Sequence, residues 1–228
     1  MFTGNQRYNK AFKSDSQRLA VSLRSSIAKR RSHLNAALCV WRHMNEFYRL
    51  EKMIAEIMTK VELYQELFGS EESVKALNYS FPECFSKIQE SLFFEIVCRT
   101  SALFDPATTR SDKNLTLEYL VTISGESYSK DLQQTLEHIK DEFKTTGLKK
   151  IRNKLYAHSD LKSYMGKKTF VNEVSYEGML TLLSRCFSFV RVLGVDAGKI
   201  NKDQIIVRST KVPSSRNGKV LVSRLKNT

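Results

Sequence analysis

The chain has 228 residues, 41% of them hydrophobic, with only 3 Pro and 9 Gly. This excludes wholesale disorder and argues against a fold of many turns and short strands, so a mainly helical body with a sizeable core is expected. The formal net charge of +13 is carried by the two ends: residues 1–32 hold +7, residues 199–228 hold +7, and the body between them holds −1. Basic ends of this kind attract polyanions such as RNA, or serve as solvated tails, and both readings stay open. No window holds the uninterrupted apolar run of about 18 residues that a membrane-crossing helix needs, so no membrane partner is expected. The opening MFTGNQRYNKAFK lacks the apolar stretch of a secretory signal; its Arg- and Ser-rich, acid-poor character also fits an organellar transit peptide. Cys39, Cys84, Cys98 and Cys186 form no CxxC pair. Reduced, mostly buried thiols in the cytoplasm are the expectation, with neither a metal nor a cofactor.

In chain order, His33 to Phe68 reads as one long helix, with Phe47, Leu50, Ile54, Ile57, Val61, Tyr64 and Phe68 at alternating three- and four-residue steps and Gly69 as its stop. Such a narrow stripe lies along another helix, by default in the same chain. Pro82 opens a second helix that ends at Asp105-Pro106; LFFEIV makes it apolar on nearly every side, as a central buried helix would be. Within it Glu95 and Arg99 are spaced for an ion pair. ATTRSDKN reads as a polar loop, and Thr116 as the cap of a short helix through Ile123. A further long element starts near Ser129, carries Leu132, Leu136, Ile139 and Phe143, weakens at Thr145-Thr146-Gly147 and resumes over LKKIRNKLYAHSD. A last helix covers about Tyr176 to Leu193, with Gly194 as its end. The tail differs: QIIVRST and KVLVSRL lean to strand and flank Asn217-Gly218, a hairpin turn signal. A lone hairpin is marginal, so the tail should dock on the body or order on a partner. The organisation expected is a basic arm over 1–32, a helical domain over 33–198 and a basic tail over 199–228.

Nucleotide-loop, hydrolase-elbow and zinc-protease motifs (GxGxxG, GxxxxGK[ST], GxSxG, HExxH) are absent from the sequence. The densest polar cluster of the body is Arg152-Asn153-Lys154-Leu155-Tyr156-Ala157-His158, inside a stretch from Lys149 to Lys168 with a local charge of +6. Arginine can hold a phosphate without losing its charge, and histidine can move a proton near neutral pH. Together they suffice for cleavage of RNA by its own 2′-OH, with no metal: the histidine takes the 2′ proton and the cation stabilises the phosphorane. However, Leu148, Ile151, Leu155 and His158 share one apolar stripe, which also fits a satisfied core histidine. At about 100° per residue Arg152 and His158 do not share a helix face either.

Arg152-Asn153 followed by His158 after four intervening residues resembles the motif of the HEPN superfamily. The sequence is closest to the abortive-infection U-like branch, in which RLxDPA and NLSL segments precede RDKxxAHxD. Here Ala102-Leu103-Phe104-Asp105-Pro106-Ala107, then Asn114-Leu115-Thr116-Leu117, then RNKLYAHSD follow in that order. The resemblance implies an all-α, up-down helical bundle that forms a homodimer, with the Arg and His of both copies lining a cleft. It also implies metal-independent RNA cleavage in phage defence or in a toxin neutralised by an antitoxin. Asn153 departs from the branch's usual acid. On this reading His158 is the general acid/base, Arg152 the phosphate ligand, and Asn153 and Lys154 position substrate, helped by Tyr156 and by Lys149 and Lys150 of the basic patch. The rival readings are a non-catalytic RNA- or partner-binding helical module, and an assembly subunit whose long stripe engages another protein.

Overall fold

The computed structural model describes residues 45–157, 175–202 and 212–226, within the compact unit Asn45–Thr228. The basic arm, His158 and the first of the two tail segments expected as strands lie outside these residues. What is described is an all-α bundle with one tiny two-stranded sheet.

Helix α1 spans Glu46–Phe68. Asn45 stands before it with extended backbone (ψ 169°), and its side chain accepts a hydrogen bond from the Tyr48 N–H at 3.0 Å. The helix therefore starts at a cap, and the expected unbroken run from His33 is corrected. Gly69 ends it as expected. Phe47, Leu50, Ile54, Ile57 and Val61 of the stripe are buried, while Tyr64 and Phe68 are partly so. They face the chain's own helices, which removes the stripe as a surface for another protein. A short helix that the periodicity had not revealed, α2 (Glu71–Ser80), follows, capped by Ser70 and holding only Leu77 in the interior.

Pro82 is the first residue of α3 (Pro82–Ala102), where its missing N–H has no consequence. This helix is not the central buried one. Of LFFEIV only Ile96 and Val97 are buried; Phe94 is 45% exposed. An even spread of apolar residues does not say how many sides a neighbour covers, and among the described residues α1 is the one long helix that packs on α3. Glu95 and Arg99 do pair, at 3.1 Å, and the pair extends across to α1: Arg99 meets Glu56 at 3.1 Å and Lys60 meets Glu95. All four are partly exposed, so each link is worth about 1 kcal/mol or less and chiefly sets the register of α3 on α1.

Beyond Ala102 the expected loop contains two paired residues on each side, Thr108–Thr109 (β1) against Asp112–Lys113 (β2), antiparallel. Helix α4 (Leu117–Ser124) is capped by Thr116 as the sequence suggests, and α5 (Lys130–Thr145) begins where expected, capped by Ser129. Gly147 adopts a left-handed conformation (φ 67°) that side-chain-bearing residues disfavour, and this turn starts α6 (Leu148–Ile151). Its Leu148 and Ile151 are buried, and the chain continues from Arg152 to Ala157 as a π-helical turn.

The central helix is α7 (Tyr176–Asp196), which packs against α1, α4 and α5 and buries Met179, Leu182, Leu183, Cys186, Phe189, Val190 and Leu193. Among the described residues it is the one helix with the length and composition to cross a bilayer, and these buried side chains form the middle of the core. Gly194 does not end it. A Cβ there would lie 2.6 Å from Ile200 Cδ1 and 2.9 Å from Phe47 Cδ1, so the glycine marks a close approach inside the helix.

The tail is also corrected. KVLVSRL belongs to helix α8 (Gly218–Lys226), and Asn217 caps it by accepting from the Val220 N–H at 3.2 Å. The Asn-Gly pair is thus a helix start rather than a hairpin turn. The helix docks on the body: Glu66 of α1 accepts from Asn217 Nδ2 (2.8 Å) and from the Gly218 N–H (3.0 Å), and Val222 is buried with Leu67, Leu77 and Phe85.

Candidate active site

The end of α3 and the start of the π-helical turn meet at one ion pair. After Ala102 the helix tightens through three i→i+3 hydrogen bonds, from the N–H groups of Leu103, Phe104 and Asp105, and Pro106 prevents its continuation. Asp105 is left facing Arg152. Arg152 Nη1 donates to Asp105 Oδ2 at 2.8 Å and to Oδ1 at 3.0 Å, and Nε donates to Asn153 Oδ1 at 3.2 Å. The two side chains are 19% and 29% exposed, so the pair is partly shielded. Cys98, two turns before Asp105 on α3, lies within the field of Arg152; burial nevertheless raises its thiol above the usual range.

Arg152 Nη2 and Asn153 Nδ2 make no hydrogen bond among the described residues. Lys149, Lys150 and Lys154 are exposed on the same short stretch. The sequence-chosen residues therefore divide in three. Arg152 and Asn153 touch. Lys149, Lys150 and Lys154 supply positive charge around them. His158 and the side chain of Tyr156 lie outside the described residues. Asp105 and Asn114 stand in segments the sequence singled out, though neither was chosen as a site residue. The sequence signal for them was the FDP and NLTL segments themselves.

The turn that carries Asp105 is held from several directions. Asn114 Nδ2 donates to the Pro106 carbonyl and to Thr109 Oγ1, both at 2.8 Å, and the Asn114 N–H donates to the Ala107 carbonyl at 2.8 Å. Leu117 N–H reaches the Leu103 carbonyl at 3.0 Å. Phe104 stacks on Phe143 of α5, ring centroids 3.9 Å apart and planes 3° from parallel. A groove of about 1070 Å³ between α1, α5 and α7 shares no residue with this cluster. Among the described residues no three His, Cys, Asp or Glu are grouped to hold a metal.

The profile of the HEPN_AbiU2 family, described as AbiU2, matches residues 27–204. The chain belongs to this family. The match takes in every element from α1 to α7, and with them Asp105, Asn114, Arg152 and His158; α8 lies beyond it. The helical bundle is accordingly a HEPN bundle, and the matched span contains the Arg152 cluster. No curated protein matches the chain, and no solved structure does.

Proposed function

We propose that this HEPN_AbiU2 protein is a metal-independent endoribonuclease, acting as a phage-defence or toxin component. The observation that carries the reading is the state of Arg152, the arginine of the family motif. It is anchored through Nε and Nη1, with Nη2 making no hydrogen bond among the described residues, beside three exposed lysines. A fixed cation with one open edge suits a phosphate oxygen that gains charge during reaction.

In the proposed reaction His158 removes the proton from a ribose 2′-OH, and the 2′-oxygen attacks the adjacent phosphorus. The phosphorane's added charge is met by Arg152 Nη2. The P–O5′ bond then breaks, leaving a 2′,3′-cyclic phosphate on one fragment and a 5′-OH on the other, with the leaving oxygen protonated by a general acid. Asn153 Nδ2, with Lys154, Lys149 and Lys150, would hold the flanking phosphates and sugar, and Tyr156 would assist. The proposal takes the working unit to be a cytoplasmic homodimer with RNA as substrate and a neutralising antitoxin as a candidate partner.

The test compares one RNA with the DNA of the same sequence. Cleavage of the RNA with cyclic phosphate ends, and none of the DNA, is expected. Equal cleavage of both would remove the 2′-OH from the mechanism. Tight RNA binding without cleavage would favour the binding-module reading.

A further inference from the structure

We infer that Asp105 and Asn114 are positioning residues for Arg152, so that three separate sequence segments act as one unit around it. The inference rests on the reading of Arg152 as the phosphate ligand and adds the residues that aim it.

A guanidinium has five N–H donors on a long, flexible stem. Here one donor, on Nε, goes to Asn153, and Nη1 faces both oxygens of Asp105. Nη2 is left over. The carboxylate therefore meets Nη1 and leaves Nη2 free of it, which makes it a bracket rather than a competitor for phosphate. Holding the side chain before substrate arrives removes rotamer freedom that would otherwise be lost on meeting the phosphate.

A bracket is useful only if it is itself fixed. Asp105 follows the last turn of α3 and precedes a proline, a place where a chain end could swing. Asn114 prevents that by strapping the carbonyls of Pro106 and Ala107 and the hydroxyl of Thr109, while Glu118 accepts from the Ala107 N–H at 3.2 Å. The order of support runs from Asn114 to the Pro106–Ala107 turn, then to Asp105 and Arg152.

Two measurements on the full chain test this. The first follows the guanidinium itself, by NMR of arginine side-chain Nε and Nη groups, with the Arg152 signals assigned through Arg152→Lys. Hindered rotation about Nε–Cζ is expected in the wild type, and free rotation in Asp105→Asn and Asn114→Ala. The second is a mutant cycle on RNA cleavage. Asp105→Asn should lower kcat by about 10- to 100-fold with KM changed by less than about 3-fold, and should cost nothing further in an Arg152→Ala background. Equal losses in both backgrounds, a rise in activity, or an Arg152 guanidinium as hindered in Asp105→Asn as in the wild type would overturn the proposal. A wild type that cleaves no RNA would remove the nuclease reading, and the NMR result would still decide whether the bracket exists.

Discussion

Asp105 and Arg152, 47 positions apart, meet with both carboxylate oxygens within 3.0 Å of a single guanidinium nitrogen. The contact joins the end of α3 to the start of the π-helical turn, so Arg152 is paired with a residue of another segment. A lysine cannot reproduce it, because an ammonium is a point charge without the fork that meets Asp105 and Asn153 at once. Arg152→Lys is therefore expected to lose RNA cleavage almost as far as Arg152→Ala, by about 100- to 1,000-fold in single-turnover rate. Retention of more than a tenth of wild-type activity by the lysine variant would show that charge alone suffices.

Glu51 provides a pH prediction. Its side chain is fully buried in α1, neither oxygen has a hydrogen-bond partner among the described residues, and Arg191 stands 3.6 Å away. Burial raises its pKa from 4.5 to about 7, with Arg191 pulling the other way. A folded-state pKa above the unfolded one means the folded state holds its proton longer. The group's contribution is thus most favourable below pH 4.5 and is lost as pH rises through 7. Glu51→Gln should leave stability nearly unchanged at pH 4 and raise it at pH 8, by an amount on the order of 3 kcal/mol at most. Thermal unfolding of both proteins across that range measures it; a difference independent of pH would contradict the assignment.

Gly194 fills a place no side chain can share. Gly194→Ala sets a methyl against Ile200 and Phe47 and is expected to cost about 1–3 kcal/mol in urea unfolding. Ile200→Val removes the Cδ1 methyl that lies nearest, so the double variant should recover part of that loss. No recovery would mean that the clash is with Phe47 or the backbone.

For the tail, Asn217→Ala removes both the cap of α8 and a hydrogen bond to Glu66, with an expected loss of about 1–2 kcal/mol. Helical circular dichroism should fall with it. An unchanged spectrum and melting temperature would argue that α8 does not depend on this docking.

What the sequence revealed and what it hid follow from the kind of signal each residue gives. The cap Thr116, the helix start near Ser129, the proline start at Pro82 and the α1 stripe are local signals, and the structure keeps them all. The short α2 buries only Leu77, too little apolar pattern to show a period. Asn217-Gly218 is a turn signal by type, yet Glu66, 151 positions away from Asn217, recruits that asparagine to a helix cap. LFFEIV reads as buried all round because composition does not record which neighbours are present. At the site, Arg152 and Asn153 were evident from motif and charge. The role of Asp105 was not, since only the folded α3 end brings it to Arg152.

The most direct measurement is incubation of the purified protein with mixed cellular RNA in excess EDTA, wild type beside Arg152→Ala and His158→Ala. Cleavage by the wild type, lost in both variants, is the expected result. Cleavage that persists unchanged in Arg152→Ala, or that needs added metal, would contradict a metal-independent nuclease centred on this motif.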